Sequence, residues 1–413
     1  MQRTIVGIDV GTTRVCTIVA QVPESGSATI LGVGIAPSKG LDKGVVVNLD
    51  DAVNAISASV DKAERLSGYH IGTAFVGVAG RHVSSLNSRG VVAVGRPDHE
   101  ITRNDIARAV EAAQAVAIPT QREIIHVIPR TYVLDGHEGI RDPIGMSGFR
   151  LEVETHIVTG EVMAIQNLIK SVQRAGVEID DLVLQPLASG EAVLTNEDRD
   201  RGVLLVDIGG GTTDVALFAQ GGVWHTGVIP IGGNHFTNDL VLVLRTPPNT
   251  AEYLKLKYGS AIASDADAED DEIDVETLTQ GEKQKVSKRL LNEVLQSRAE
   301  EVVELIYNEI RRSGYEGVLP AGIVLTGGAA QLPRFDELVR EMLGMPVRIG
   351  APSDLRGLAD ALDSPAYATA VGLLHWGARH GHSQLGANDQ SDRNGGVGSA
   401  YDRFKRWIRE FLP

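Results

Sequence analysis

The chain has 413 residues, 43% apolar and 23% charged, an ordinary globular composition with room for two to four subdomains, each expected to have its own core. Its 54 Asp and Glu against 39 Lys and Arg give a formal net charge of −15, which argues against general nucleic-acid binding. A single cysteine, Cys16, makes neither a disulfide nor a zinc framework. No apolar run approaches the ~20 residues of a spanning helix, and no basic-then-apolar leader precedes the first strand, so a reducing, cytoplasmic setting is expected.

Val6–Val15, VGIDVGTTRV, reads as a strand, a tight turn and a second strand, with Cys16 a small buried residue of that strand. Thr29–Ala36 continues as a third strand. Asn48–Ser67 is a helix whose Ala52, Val53, Ile56, Val60, Ala63 and Leu66 share a face, and Phe75–Ala79 is again a strand. Residues from about 83 to 160 break this plan. A strand at Gly90–Val94, a helix at Ile101–Val116 with Thr102 as N-cap, a strand at Glu123–Leu134, a Gly/Asp/Pro-rich loop at Asp135–Phe149 and a half-exposed strand at Leu151–Val158 make a small α+β insert. Val162–Ala175 is helical, and Pro186 sits in the first turn of the next helix, where its missing N–H costs nothing. Gln185, beside it, either orients water or caps that helix.

Val203–Phe218, VLLVDIGGGTTDVALF, is a second hairpin of the same kind. Gly209, Gly210 and Gly211 can take positive φ and leave no Cβ in the way, so that backbone N–H groups can reach an anion, with the Thr212 and Thr213 hydroxyls as further donors and Asp207 facing a hydrated metal ion. Aligning Asp9 with Asp207, and allowing a shorter glycine run in the first turn, places Thr12-Thr13 on Thr212-Thr213. Two such turns in repeated half-domains, with two aspartates, point to a nucleoside di- or triphosphate gripped from both sides together with a divalent cation. No P-loop pattern occurs.

Ile231–Leu240 turns into a helix, and Ala251–Tyr258 is another, with Glu252 and Lys255 on one side. Asp265–Glu276 holds eight acids in twelve residues and reads as a solvated loop, with an acidic docking site as the alternative. After the long helix Glu293–Arg312, the strand of Ile323–Leu332 runs into Gly327-Gly328, where bare backbone can lie flat against a ring such as adenine. Ser364–Trp376 is a closing helix whose Ala366, Ala368, Ala370 and Gly372 suit tight packing near a hinge. Residues 379–400 are a polar, flexible linker.

The last stretch, YDRFKRWIREFL, is amphipathic. Tyr401, Phe404, Trp407, Ile408, Phe411 and Leu412 fill one arc of about 140°. Arg403, Lys405, Arg406 and Arg409 make the other face basic, as in a helix lying on an anionic membrane. Docking on its own domain or on another subunit is the alternative.

The segments IVGIDVGTT, LASGEAVL, LLVDIGGGTTD, IGGNHFTNDL, AEYLKLKYG and VLTGGAAQLP, in this order, resemble the actin, Hsp70 and sugar-kinase superfamily, and within it the bacterial division family FtsA. The resemblance implies an actin-like, ribonuclease H-like two-lobed α/β ATPase fold. Its subdomains are expected as IA (1–82, 161–200, closing helix 363–378), an inserted 1C or SHS2 domain (83–160), IIA (201–232, 318–362), IIB (233–317), linker 379–400 and membrane-targeting helix 401–413. It implies ATP and Mg²⁺ as ligands. Gly11, Thr12, Thr13 and Arg14 would form the first phosphate loop, and Gly209 to Thr213 the second. Gly327 and Gly328 would form the adenosine turn, Glu252 and Lys255 would lie near ribose and base, Asp9 and Asp207 would hold the metal, and Gln185 and Asp207 would be the catalytic pair. Gln185 stands where the chaperone ATPases have Glu-Pro, so at most slow hydrolysis is implied. The family further implies filaments of self, a tubulin-like FtsZ partner, later division proteins reached through 1C, and a peripheral place on the cytoplasmic face of the inner membrane at the septum. A pilus-assembly actin homologue and a small-molecule kinase are the alternatives within the superfamily.

Overall fold

The computed structural model describes residues 3–22, 27–263, 272–279, 282–315, 317–353 and 355–380. The apolar runs around each Gly-rich turn form the middle of two mixed sheets. The first has the order Glu178–Leu184, Thr73–Val78, Arg3–Val10, Arg14–Val22, Thr29–Pro37 and Arg356–Gly357. The second runs Gly222–Ile229, Thr213–Ala219, Val203–Ile208, Ile323–Thr326 and Val347–Ile349. Arg356–Gly357, from within the 318–362 stretch, already belongs to the first sheet, pairing with Thr29 and Ile30.

Helices cover the outer faces. Leu49–Ser67 starts where Asn48 Oδ1 accepts the Asp51 N–H at 3.2 Å and stops at Gly68 with φ +66°, an N-cap and a left-handed C-cap at the positions those residue types favour. With Val162–Arg174 it buries Ile56, Val60, Leu168 and Val172 against the first sheet. Gly233–Leu244 and Lys288–Arg312 bury Leu240, Val302 and Ile306 against the second.

The inner faces do not have separate cores, as composition suggested. Helices Gln185–Val193 and Ala368–His380 lie between the sheets. One cluster runs from Ile18 and Ile30 through Leu187, Ala188, Val371 and Leu374 to Leu205 and Phe218. The helices cross backbone to backbone, since a Cβ on Gly372 would lie 1.8 Å from the Ala188 carbonyl oxygen.

The insert is a four-stranded antiparallel sheet in the order Val83–Ala93, Arg150–Glu161, Arg122–Leu134, His137–Ile140, with helix Arg103–Gln114 on one face. The strand expected to be half exposed, Leu151–Val158, is buried on both faces. Its polar side chains are satisfied instead of solvated. His156 Nε2 meets Thr226 Oγ1 at 2.8 Å and Nδ1 meets Asn87 Oδ1 at 2.8 Å. Ser85 Oγ donates to the Thr226 carbonyl at 2.8 Å, and Arg130 stacks 3.6 Å above the Trp224 ring. The insert therefore leans on strand Gly222–Ile229, an edge that would otherwise be open.

A second correction concerns the acidic run. Residues 264–271 lie outside the described residues, but Glu272–Glu276 is a strand paired with Lys283–Ser287, not a solvated loop. The sequence EIDVE alternates, so its acids face outward while Ile273 and Val275 enter the second core.

Candidate functional site: a cleft between two facing hairpins

Each hairpin crosses from one strand to the next in four residues. Val10 pairs with Val15, and Ile208 with Thr213. The same bond closes both turns, Gly11 N–H to Arg14 O at 3.0 Å and Gly209 N–H to Thr212 O at 2.9 Å. The turns are equal in length, so no glycine is missing from the first. Thr12 and Thr13 correspond to Gly210 and Gly211, not to Thr212 and Thr213, and Cys16 corresponds to Asp214. None of Gly11, Gly209, Gly210 and Gly211 has positive φ. The glycines are there for space. A Cβ on Gly210 would sit 1.9 Å from Thr13 Oγ1, and one on Gly211 would sit 2.6 Å from Thr12 Oγ1. The second turn is in turn held by the start of helix Gly233–Leu244, where Gly233 and Asn234 N–H groups bond to the Gly209 and Gly210 carbonyls at 2.8 Å each.

Between the turns opens a cavity of about 470 Å³, within the size range of small-ligand sites. Gly11, Thr12, Thr13, Arg14, Gln185, Gly209, Gly210, Gly211, Thr212, Gly327 and Gly328 line it, as do Asp9, Asp207, Glu252 and Lys255. Thr213 does not. It is fully buried, and its hydroxyl donates to the Ile231 carbonyl at 2.8 Å, so it braces the turn from behind. Gln185 makes no cap; its Nε2 donates to Asp9 Oδ1 at 2.9 Å.

Sequence reading missed Asp214, Asn234, Gln331 and Thr369, which also line the cavity. Only Asp214 carried a signal, as the acid closing the Gly-Gly-Gly-Thr-Thr-Asp run; the others lie in segments brought together by folding.

Three carboxylates collect in the floor. Burial, then the Asp207 carboxylate, push Asp9 up to about 7 against the pull of Arg14. Burial, then Asp207, with Asp9 a lesser contributor, push Asp214 up to about 8, with only the Thr212 hydroxyl opposing. Asp207 is also raised by burial, opposed by hydroxyls of Ser189 and Thr369. Asp214 Oδ1 has no hydrogen-bond partner. Among the described residues no three acidic, His or Cys side chains form a direct metal cage. Crowded, buried acids with one orphaned oxygen fit a hydrated divalent cation held through its water shell.

The shifts have a stability consequence of definite sign. A carboxyl with a raised folded-state pKa binds its proton more tightly folded than unfolded. Asp9 and Asp214 therefore cost nothing below the usual 3.8 and progressively more up to about 7 and 8. The protein without cation should lose stability as pH rises from 4 to 8. Mg²⁺ should raise the melting temperature more at pH 8 than at pH 6, and an equal rise at both would overturn this reading of the acids.

The opposite wall comes from helix Pro248–Tyr258, where Lys255 Nζ contacts Glu252 Oε2 at 2.7 Å, Thr237 Oγ1 at 2.9 Å and the Gly233 carbonyl at 3.1 Å. Gly327 does take positive φ, +87°, and a Cβ there would lie 2.4 Å from Asp207 Oδ1. Arg14 reaches across the mouth, 5.1 Å above the Tyr367 ring and beside Gly328. Tyr401 to Leu412, expected to bind membrane, lie outside the described residues. Among the described residues no helix is long and apolar enough to cross a membrane.

Paired hairpins facing across a cleft, with two helices crossing beneath, define an actin-like protein. Solved structures of this fold match over most of the chain. A type IV pilus biogenesis complex, PilM-PilN, gives a TM-score of 0.66 at 15% identity, covering 91% of this chain and 98% of that one. MreB5 of Spiroplasma citri bound to ADP gives 0.53 at 16%, covering 90% and 94%.

Sequence relatives narrow the class. The chain is 44% identical to the cell division protein FtsA of Pseudomonas aeruginosa over 98% of this chain and 97% of that protein. It is 36% identical to that of Escherichia coli K12 over 99% and 98%. Family models for cell division protein FtsA and for the SHS2 domain inserted in it match residues 204–372 and 80–159. The chain belongs to the FtsA family of cell-division proteins.

Proposed function

We propose that this actin-like division protein binds ATP with Mg²⁺ in the cleft, polymerises on the cytoplasmic face of the inner membrane, and ties an FtsZ-type ring to it through residues 401–413. The observation that carries the nucleotide reading is the facing pair of hairpins above three buried acids. Thr12, Thr13, Gly210 and Gly211 would take the phosphates. Gly327 and Gly328 would take the base, with Glu252 and Lys255 beside the ribose. Asp9, Asp207 and Asp214 would hold Mg²⁺ through water. When bound, the ion neutralises charge on the phosphate oxygens. Gln185 donates to Asp9 and so orients that acid; its amide is a weak base, in keeping with slow turnover at most. The expected subdomain division, with 83–160 as a contact to the next protomer and to later division proteins, belongs to the same proposal. So do head-to-tail filaments through a heterologous interface that does not close.

The tail makes this testable. One short amphipathic helix anchors weakly and reversibly, each basic residue near an anionic surface adding about 1 kcal/mol. A filament would present many such tails at once, so attachment and polymerisation should reinforce each other. Trp407→Glu places a charge in the apolar arc without touching the cleft. It should release the full-length protein from anionic vesicles in a flotation assay, with ATP binding unchanged and wild-type filaments visible on the lipid by electron microscopy. Equal flotation of variant and wild type would remove the tail as anchor; wild-type vesicles bare of filaments would remove the polymer.

A further inference from the structure

We infer that Ser189 and Thr369 are positioning residues that fix the Asp207 carboxylate toward a divalent cation while pinning the joint between the two halves; this rests on the nucleotide reading above. Three elements from distant parts of the chain meet here. Ser189 is on helix Gln185–Val193, Thr369 on helix Ala368–His380, and Asp207 near the end of strand Val203–Ile208 of the second sheet. Ser189 is fully buried and does not line the cavity; Thr369 does.

The geometry is directional. Ser189 Oγ donates to Asp207 Oδ2 at 2.5 Å, and Thr369 Oγ1 donates to the same oxygen at 3.1 Å. The hydroxyls lie 2.9 Å from each other. Two hydroxyl protons serve three contacts. Ser189 therefore gives its proton to the carboxylate at the shortest of them, and Thr369 divides its own between Asp207 and Ser189. Both donors sit on Oδ2, so Oδ1 is the oxygen left on the Gly327 side, where that glycine makes room for it. Asp9 and Asp214 are each given a single side-chain donor, Gln185 and Thr212. Of the three acids, Asp207 is the one fixed in orientation by two donors, and hydroxyl donors favour its charged form.

The same contacts have a mechanical role. Gly372, one turn beyond Thr369, brings its helix against the Ala188 carbonyl. The hydroxyl pair thus sits where the crossing helices touch the strand bearing the acid. Any rotation of the second sheet relative to these helices carries Asp207 away from its two donors and must stretch or break both bonds.

Titration of ATP with and without Mg²⁺ tests this on the full-length protein. Ser189→Ala removes one oxygen and conserves volume. It should raise the Mg²⁺ concentration needed for half-maximal ATP affinity by about tenfold, the scale of a hydrogen bond to a charged group, while leaving ATP affinity in EDTA within about twofold. Thr369→Val should act in the same direction and more weakly, and Thr369→Ser, which keeps the donor, should restore the wild-type requirement. The melting-temperature rise produced by Mg²⁺ alone should shrink in Ser189→Ala and Thr369→Val. An unchanged Mg²⁺ requirement in Ser189→Ala overturns the inference. So does a Thr369→Ser variant as impaired as Thr369→Val, since a packing role would not distinguish them by the hydroxyl. A wild-type protein that binds no ATP in either condition overturns the nucleotide reading, and this inference with it.

Discussion

Gly211→Asp is expected to weaken ATP binding by at least about a hundredfold, ~3 kcal/mol, while the protein stays folded. A Cβ at this position would lie 2.6 Å from Thr12 Oγ1, 3.0 Å from Thr12 Cγ2 and 3.1 Å from Lys43 Cα. Gly211 lines the cleft where phosphates would approach, so the new carboxylate adds negative charge to a wall that Asp9, Asp207 and Asp214 already share. Repulsion and the lost approach of bare backbone act in the same direction. Thr12 must also shift, and its Oγ1 now accepts the Gly44 N–H at 3.2 Å, so the loop after the third strand loosens as well. Gly211→Ala should lose far less, because a threonine hydroxyl can turn aside from a methyl. Isothermal titration with ATP, alongside thermal melts followed by circular dichroism, checks both. ATP affinity in the aspartate variant equal to wild type would move the nucleotide site out of this cleft.

Gly372→Ala is the second large effect, and here two physical contributions oppose each other. In a helix interior alanine is favoured over glycine by about 1 kcal/mol. Packing opposes it, since the added methyl would lie 1.8 Å from the Ala188 oxygen and 2.3 Å from its carbonyl carbon. Both are backbone atoms and cannot turn aside. The helices must separate, and Leu187, Val371 and Leu374, which join the two sheets, lose contact together. Overpacking of this kind costs about 3 kcal/mol, so a net loss near 2 kcal/mol is expected. Denaturant unfolding measures it. Gly72→Ala serves as the comparison, since a Cβ there meets nothing within 4 Å and should change stability by less than about 0.5 kcal/mol. A Gly372→Ala protein as stable as wild type would mean that the helices are not in backbone contact.

Much of this architecture is local and therefore readable from sequence. The two hairpins announce themselves by apolar runs around Asp-x-Gly, because strand alternation and turn chemistry act over a few residues. Leu49–Ser67, Arg103–Gln114 and most of Lys288–Arg312, which begins five residues before the expected Glu293 with Ser287 as its N-cap, follow from 3.6-residue periodicity and caps such as Asn48 and Thr102, whose N–H is bonded by Asp105 at 2.9 Å. The motif order was enough to indicate the FtsA family.

What local patterns could not supply was the reason for a residue where that reason lies on the other half of the chain. In sequence Gly210 and Gly211 could be glycines for positive φ or for want of a Cβ; it is the second, because Thr13 and Thr12 press on them from a hairpin about 200 residues earlier. Thr213 looks like a ligand donor and is a brace for Ile231. Leu151–Val158 looks half exposed, and the polar face of this strand is buried by an edge strand that begins at Gly222. Ser189 looks like a small helical residue and holds Asp207. Sequence by itself determined the elements, the repeat and the family, since these depend on neighbours a few positions away. Only the tertiary structure decided which oxygens meet in the cleft and which glycines are needed for space, because both depend on atoms brought together across the fold.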